Sequence, residues 1–404
     1  MTNIPAFTDL SDENLARFDS FDEHETVRRF DLGQGVIAFV AVHNTNLGPG
    51  LGGCRMRAYG SEDEAINDVL RLSRGMTYKN AMAGLPLGGG KSVLIGDPAT
   101  QKNKELMEAM GRAVETLEGS YITAEDSGTG EQDMVAMATQ TDFVTGLPPE
   151  KYEDAEYGEL GGNPSPVTAL GCYHGILAAI KHRYGDQKKL SELTVSVQGV
   201  GAVGLALCEL LQQDGAKLIV TDISDEGLAH AQNVLGDVTV VHPDEIYGVE
   251  ADIFAPCAMG GILNDHTIVQ LKVDIIAGAS NNQLLAPHHD NMIAAKGITY
   301  VPDYVINAGG VICVGYEFFR NSGYNPMDFQ FTRRAMLNHV ERIGQTVSDI
   351  LKRAQETGMN TGEAADALAE EKFIEGGALD DNSADSNAAD QSSFGTNDDM
   401  TLVQ

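Results

Sequence analysis

Two lysines stand out because the chain around them carries no other charge. Lys79 and Lys91 lie within "MTYKNAMAGLPLGGGKSVLIG", residues 76–96, where small and apolar residues dominate. Most lysines are solvated surface charges, and that is the plain alternative here. Partial burial and a like-charged neighbour both lower the pKa of a lysine, toward the range that a general base needs. We therefore expect these two lysines to take part in chemistry.

The glycines before Lys91 suggest a phosphate-binding loop, but their spacing excludes one. Such a loop needs a glycine, four residues, and then Gly-Lys-Ser/Thr. Counting back from Gly90 places Leu85 where the first glycine should be. A P-loop phosphotransferase is therefore disfavoured, and the stretch predicts a glycine-rich turn that exposes Lys91.

An acidic pair follows a strand-like segment further along the chain. In "YITAEDSGTG", residues 121–130, Glu125 and Asp126 lie between apolar residues and a glycine-rich turn. Acids in this position commonly cap the next helix. From the residues alone, capping and proton transfer are both open.

Residues 193–222 indicate a dinucleotide site, because they have the pattern of a strand, a glycine turn, a helix and a second strand. Gly199, Gly201 and Gly204 form G-x-G-x-x-G where the helix opens, and Asp222 ends the second strand. The glycines let the backbone approach a pyrophosphate, and the acid accepts hydrogen bonds from the adenosine ribose while repelling a 2′-phosphate. NAD is favoured over NADP. The alternative is a structural glycine turn in another α/β domain.

The overall charge and composition exclude several classes of partner. The 404 residues include 59 acidic and 27 basic side chains, a formal net charge of −32. This balance argues against nucleic acid and against anionic membrane surfaces. No apolar run approaches the ~18 residues of a membrane span, the N-terminus lacks the features of a signal peptide, and the five cysteines are widely spaced. We expect a cytoplasmic protein.

One histidine pair raises the question of a metal site. His288 and His289 are adjacent and lie near an acid. Adjacent side chains diverge, and no third ligand has a suitable spacing. We therefore expect a solvated pair and no metal.

Alternating strand and helix patterns predict an α/β fold. Residues 36–43 are strand-like, and 61–82 show helical spacing of apolar residues after a serine cap. A turn-rich, acidic segment at 146–169 marks the expected domain boundary.

The predicted architecture has two domains and a tail. Residues 1–148, joined by a returning helix within 349–375, form a substrate-binding and catalytic domain. Residues 149–348 form a Rossmann-type domain that binds NAD, and the active site lies in the cleft between the two. Residues 376–404 contain six aspartates and no lysine or arginine, which is typical of a disordered acidic tail.

Assembled in order, these segments resemble the amino-acid dehydrogenases of the glutamate/leucine/phenylalanine/valine superfamily, and most closely its branched-chain members. The resemblance extends from about residue 36 to about residue 372. It rests on a series of motifs in one order: "LGPGLGGCRM", "RLSRGMTYKNAMAGLPLGGGKSVLIGDP", "YITAEDSGTG", "GNPSPVTA", "VQGVGAVG", "DIFAPCAMGGILN", "AGASNNQL" and "VPDYVINAGGVI".

The resemblance implies a role for each matching residue. Lys79 would bind the substrate α-carboxylate, Lys91 would be the catalytic lysine, and Asp126 would move protons at the amino group. Further substrate contacts are implied at Leu51, Gly88, Ala124, Asn281, Val311 and Val314. Cofactor contacts are implied at Thr168, Gly199, Gly201, Val203, Gly204, Asp222 and Asn282. Which of the two asparagines contacts substrate is left open.

The implied reaction is the oxidative deamination of an L-amino acid to a 2-oxo acid and ammonium. A hydride leaves Cα, and water activated by Lys91 attacks the resulting iminium. The implied side-chain pocket is apolar and offers a γ-carboxylate no partner, so glutamate is disfavoured and branched aliphatic substrates are expected. The resemblance also implies homo-oligomers, commonly octamers.

Two alternatives stay open. One is a phenylalanine-type or other aromatic or broad-specificity dehydrogenase, because one methylene changes discrimination by only ~1–3 kcal/mol. The other is a non-catalytic NAD-binding sensor. A sensor would tolerate loss of the two lysines and the acid, yet all three are present.

Overall fold

The computed structural model describes residues 4–148 and 160–375. The predicted boundary segment lies partly outside these residues, and the acidic tail lies wholly outside them. The described residues form two six-stranded sheets with helices packed against them. The predicted α/β class is confirmed.

The first sheet is mixed. Its strands are β1 Ala6–Asp9, β2 Thr26–Asp31, β3 Ile37–Asn44, β4 Gly50–Arg57, β5 Gly88–Ile95 and β6 Tyr121–Glu125. The accompanying helices are α1 Asp12–Leu15, α2 Glu62–Met82, α3 Lys104–Glu115 and α4 Glu131–Ala138. The strand order is β1-β2-β3-β5-β4-β6, in which β1, β2, β3 and β5 pair antiparallel, while β4 is parallel to β5 and β6.

Helix α2 forms where the sequence predicts it. The side chain of Ser61 caps it by accepting from the backbone N–H of Glu64, and three acids occupy the first turn, where they favour the helix dipole. Val69 and Leu70 bury one face of the helix against the sheet. The other end carries Lys79 in the last turn.

The prediction of an exposed glycine-rich turn before Lys91 is wrong. Gly88, Gly89 and Gly90 are the first residues of β5, and Lys91 is only 6 % exposed. The glycines are needed because neighbours approach closely. A Cβ on Gly89 would lie 2.1 Å from Thr77 Oγ1, and one on Gly90 would lie 2.5 Å from the ring of Tyr121.

The second sheet is parallel throughout. Its strands are β7 Thr194–Gln198, β8 Lys217–Thr221, β9 Thr239–Val240, β10 Ile253–Pro256, β11 Ile275–Ile276 and β12 Thr299–Tyr300, in the order β12-β11-β10-β7-β8-β9. Its helices are α5 Ser165–Tyr184, α6 Ala202–Gln213, α7 Asp225–Leu235, α8 Asp265–Ile268, α9 His288–Ala295, α10 Asp303–Ile306 and α11 Gly309–Ser322. This is the doubly wound arrangement of a Rossmann-type domain.

Two helices at the end of the described chain return toward the first sheet. Helix α12, Arg333–Thr357, packs along α5, and α13, Thr361–Glu375, lies on α2. The hydroxyl of Tyr78 on α2 donates to Glu370 on α13 at 2.8 Å. The domain limits remain a prediction. None of the helices in the described ranges is both long and apolar enough to cross a bilayer.

The packing of α2 on β5 generates a stability prediction. Gly89→Ala should lower the free energy of unfolding by about 1–3 kcal/mol, the usual cost of overpacking, because its Cβ would meet Thr77. Urea denaturation followed by circular dichroism measures this, since the chain has no tryptophan.

The control is Gly75→Ala on α2, the helix that packs against Gly89. A Cβ there has nothing within 4 Å, so this change should raise the free energy of unfolding by about 0.5–1 kcal/mol. Equal stabilities of the two variants would contradict the packing argument.

Candidate active site

Lys91 and Asp126 form an ion pair on one face of the first sheet. Lys91 lies in the middle of β5, and Asp126 directly follows β6. The Nζ of Lys91 lies 2.8 Å from Oδ2 of Asp126. Strand β4 separates β5 from β6, so the two side chains meet above it.

Gly53 on β4 makes room for this pair. It lies opposite Ala124 on β6, and alternation along β6 places Ala124 and Asp126 on the same face. A Cβ on Gly53 would lie 2.7 Å from Cβ of Asp126 and 3.1 Å from Nζ of Lys91. Any side chain at position 53 would therefore displace the pair.

A second cation holds Asp126. The Nε of Arg55 donates to Oδ2 of Asp126 at 3.0 Å. Burial acts to raise the pKa of Asp126, but Lys91 and Arg55 outweigh it and lower that pKa to about 2. The carboxylate is firmly ionised, so it is a poor proton acceptor while both cations stay in place.

A chain of polar contacts leads from Arg55 to the second sheet. Arg55 also pairs with Asp68 at 3.1 Å, and Asp68 accepts from Arg71 at 2.9 Å. Arg71 in turn donates to Oδ1 of Asn282 at 3.2 Å. Arg71 lies on α2, which packs on the first sheet, and Asn282 follows β11 of the second sheet. This contact therefore joins the two units, each of which consists of one sheet and its helices.

Lys79 lies in the last turn of α2 and is half-buried. Burial lowers its pKa, the carboxylate of Asp303 opposes this, and Lys91 lowers it further, to about 8. Within the described ranges, its Nζ makes no hydrogen bond and no ion pair within 4 Å. The predicted pKa direction is confirmed for Lys79. An unpaired cation of this kind suits an anionic ligand such as a carboxylate.

The two asparagines after β11 have different partners. Oδ1 of Asn281 accepts from Nδ2 of Asn307 at 2.8 Å, whereas Asn282 accepts from Arg71. Asn282 has a left-handed backbone, with φ of +52°. Both side chains are exposed, so a ligand can reach either.

The predicted side-chain pocket residues come from both units. Leu51 and Val311 are buried in one hydrophobic cluster, and Val314 packs against it. Gly88 begins β5, and Ala124 lies buried in β6. The backbone carbonyl of Val314 on α11 accepts from Thr145 Oγ1 at 2.9 Å, which ties α11 to the first unit.

The glycine turn before α6 has the shape that a dinucleotide needs. Gly199 has φ of +94°, and a Cβ on Gly204 would lie 2.0 Å from the carbonyl oxygen of Gly199. Gly201, which caps α6, has no atom within 4 Å of its Cβ position, so the backbone there is open to a ligand. Asp222 accepts from the backbone N–H of Val200 at 2.8 Å. These residues fit a pyrophosphate and an adenosine ribose.

Two further predicted cofactor residues lie at helix starts. Thr168 is in the first turn of α5, where its hydroxyl donates to the carbonyl of Pro164 at 3.0 Å. A Cβ on Gly310 of α11 would lie 2.9 Å from this hydroxyl. Val203 is the second residue of α6 and half-buried.

Several residues of the site were not identified in the sequence analysis. Arg55 follows Gly53 by two along β4, and strand alternation would have placed both on one face. Asp68 and Arg71 precede Lys79 at helical spacing on α2, a signal that was available. Asp303 left no such signal, because only the fold brings α10 near α2.

The expectation that His288 and His289 diverge without a third ligand is wrong. Their ring centroids are 4.1 Å apart, and Asp265 joins them, with the three ligand atoms within 4.8 Å of one another. Asp265 lies on α8, a separate helix that sequence spacing could not place beside α9.

Comparison with known proteins identifies relatives over most of the chain. The profile for the Glu/Leu/Phe/Val dehydrogenase dimerisation domain matches residues 25–143, and that for Glutamate/Leucine/Phenylalanine/Valine dehydrogenase matches 220–375. Leucine dehydrogenase of Geobacillus stearothermophilus is 48% identical over 355 residues, covering 88% of this chain and 92% of the relative.

Two relatives are named for dehydrogenation of aromatic amino acids. Phenylalanine dehydrogenase of Bacillus thermotolerans is 43% identical over 366 residues, covering 89% of this chain and 91% of the relative. The crystal structure of L-tryptophan dehydrogenase from Nostoc punctiforme superposes with a TM-score of 0.71 at 40% identity, covering 84% of this chain and 93% of that one.

The unpaired Lys79 generates a prediction about stability and pH. Its pKa is lowered from 10.5 to about 8 in the folded chain, so the unfolded chain binds more protons between these values and wild-type stability rises there with pH. Lys79→Met should therefore raise the free energy of unfolding near pH 7 by about 1–3 kcal/mol, and this gain should vanish above about pH 10.5.

Urea denaturation at several pH values measures the effect. The control is Lys102→Met, which removes a lysine paired with Asp133 at 2.8 Å and should not stabilise the protein. A Lys79→Met variant less stable than wild type at pH 7 would contradict the argument.

Proposed function

Because the chain belongs to the Glu/Leu/Phe/Val dehydrogenase family, we propose that it catalyses the reversible, NAD-dependent deamination of branched-chain aliphatic L-amino acids. The products are a 2-oxo acid and ammonium. Two observations support this proposal. The two family profiles match residues 25–143 and 220–375, and a leucine dehydrogenase is 48% identical to this chain.

The observation that carries the proposal is that Lys79, which has no ion-pair partner among the described residues, lies near Lys91, which is paired with Asp126. Lys79 has a pKa of about 8 and no ion pair within 4 Å among the described residues. Lys91 lies close enough to lower that pKa and is itself bonded to Asp126. In this proposal the substrate α-carboxylate takes the open place at Lys79, which orients Cα and the amino group toward Lys91 and Asp126.

NAD supplies the hydride acceptor when it is bound. The turn at Gly199–Gly204 and Asp222 would hold its pyrophosphate and adenosine ribose, with Thr168 and Asn282 near its nicotinamide half. In its neutral amine form, Lys91 would accept a proton from the attacking water, and the ammonium so formed would stabilise negative charge that develops on the carbinolamine oxygen. Because Lys91 is bonded to Asp126 at 2.8 Å, that role requires the substrate to take over part of this contact.

Asp126 has a defined electrostatic task in this scheme. Its pKa of about 2 makes it an anion that attracts the substrate ammonium. A proton transfer through Asp126 becomes favourable once the substrate displaces Lys91 or Arg55 from it. The two cations thus set when the carboxylate can accept a proton.

The residues of the predicted side-chain pocket favour aliphatic over acidic substrates. Leu51 is fully buried, Val311 is 8 % exposed, and both belong to one apolar cluster. A γ-carboxylate placed against them would lose its hydration without gaining a partner. Aromatic substrates are the second candidate, because phenylalanine and L-tryptophan dehydrogenases are also relatives.

We also propose that the chain forms homo-oligomers. The profile that matches residues 25–143 is that of a dimerisation domain. The number of subunits stays a prediction of the resemblance.

A substrate panel tests the proposed function. With NAD, NADH formation should be faster for leucine, isoleucine and valine than for glutamate by at least about 100-fold in kcat/KM, since glutamate would bury an unpaired charge. Lys91→Ala should lower kcat by about 100-fold or more. Absorbance of NADH measures both.

Lys102→Ala is the matched control, because it removes a lysine of the same domain that is paired with Asp133 outside the site. It should leave kcat unchanged. A clear preference for glutamate would contradict the argument from the apolar pocket. A preference for phenylalanine would favour an aromatic amino-acid dehydrogenase. Full activity of Lys91→Ala would exclude Lys91 as the catalytic lysine.

Cofactor choice is tested at Asp222. The two carboxylate oxygens accept from the backbone N–H groups of Val200 and Ser224. Asp222→Asn keeps one of these two acceptor oxygens and removes the charge that would repel a 2′-phosphate. The ratio of kcat/KM for NADP to that for NAD should rise about tenfold or more.

The control is Asp225→Asn, which removes an exposed acid from the first turn of α7. It should leave the ratio unchanged. Wild-type preference for NADP, or no change in Asp222→Asn, would refute the proposed discrimination.

A further inference from the structure

Three side chains outside the candidate active site converge on one point. His289 Nε2 lies 3.6 Å from Oδ1 of Asp265, and His288 Nε2 lies 3.9 Å from the same oxygen. All three ligand atoms lie within 4.8 Å of one another. Asp265 begins α8 and the histidines begin α9, so two separate helices contribute.

His289 is the part of this cluster that calls for an explanation. It is 1 % exposed, yet its Nε2 has no hydrogen-bond partner. The Nδ1 of His289 lies 2.9 Å from the backbone nitrogen of Ala286 and 3.0 Å from its carbonyl oxygen. When Nδ1 accepts from the N–H, the ring proton is on Nε2, and a bound ion would have to displace it. When the proton is on Nδ1, the ring donates to the carbonyl and the lone pair of Nε2 is free. A backbone acceptor on the far nitrogen is the usual support of a metal-binding histidine.

The donor set indicates the class of ion. Two imidazole nitrogens and one carboxylate oxygen suit zinc and similar divalent transition ions, whereas Mg²⁺ and Ca²⁺ prefer oxygen ligands alone. Ligands on a tetrahedral zinc ion lie about 3.3 Å apart. The nitrogen–oxygen distances of 3.6 and 3.9 Å are close to this value, and the group as a whole lies within 4.8 Å, so the exposed side chains of His288 and Asp265 would move inward to bind the ion.

Backbone contacts hold the two contributing segments side by side. Leu263 and Leu284 form a parallel bridge, and the N–H of Leu285 donates to the carbonyl of Leu263 at 3.0 Å. The N–H of Gly261 donates to the carbonyl of Asn282 at 2.7 Å. The ligands are therefore placed by the same two segments that position Asn282.

We propose that Asp265, His288 and His289 form a binding site for a divalent transition-metal ion of the zinc class, with the remaining coordination positions open to water. The ion would join the start of α8 to the start of α9. It would thereby fasten the segment that carries Asn282 to its neighbour. This site is separate from Lys79, Lys91 and Asp126 and does not depend on the function proposed for them.

Metal binding by the full-length protein tests the proposal. After treatment with a chelator, equilibrium dialysis against Zn²⁺ in excess Mg²⁺ should give one tightly bound Zn²⁺ per chain, the Mg²⁺ occupying the acidic surface. His288→Ala and Asp265→Asn should each weaken this binding at least about tenfold. Both side chains are exposed, so circular dichroism should show an unchanged fold. Co²⁺ should give visible absorption bands in wild type that both variants lose.

His242→Ala is the matched control. His242 lies 3.6 Å from an oxygen of Asp244 in an exposed pair but belongs to no such three-ligand group among the described residues. Its loss should leave Zn²⁺ affinity unchanged, and Zn²⁺ should raise the melting temperature of wild type and of this variant only. No saturable Zn²⁺ binding by wild type, or equal affinity in wild type and His288→Ala, would overturn the proposal.

Discussion

The close approach of α2 to β5 is the constraint on which the rest of the site depends. The helix backbone at Thr77 lies where a side chain at Gly89 would have to be, and the Nδ2 of Asn80 donates to the carbonyl of Gly88 at 2.6 Å. Only glycine permits this distance between helix and strand. Because the helix packs so closely against the sheet, Lys79 in its last turn lies near enough to Lys91 for the two charges to interact.

The resulting arrangement of charge favours ligand binding over stability. Lys91 and Asp126 compensate each other's burial, with Arg55 as a second partner of the carboxylate. Among the described residues Lys79 has no ion-pair partner, and Asp303 compensates its burial only in part, so its pKa stays lowered. A folded chain keeps an uncompensated charge of this kind mainly where a ligand supplies the missing partner.

The sequence predicted local features better than long-range ones. The serine cap and periodicity of α2 and the glycine turn before α6 depend on neighbours along the chain, and both were predicted. The glycines before Lys91 were misassigned to a turn because the groups that crowd them, Thr77 and Tyr121, lie elsewhere in the sequence. Asp303 beside Lys79 and Asp265 beside His289 were missed for the same reason.

The polar chain between the two units has a consequence for how the cleft and its chemistry are linked. Asp126 and Asp68 share Arg55, Asp68 also accepts from Arg71, and Arg71 reaches Asn282 on the far side. If Arg55 moves away from Asp126, its ion pair with Asp68 changes, and the hydrogen bond between Asp68 and Arg71 changes with it. By reciprocity, parting Arg71 from Asn282 alters the field around Asp126. The contact between the two units at Arg71 and Asn282 and the electrostatic environment of Asp126 are therefore thermodynamically linked.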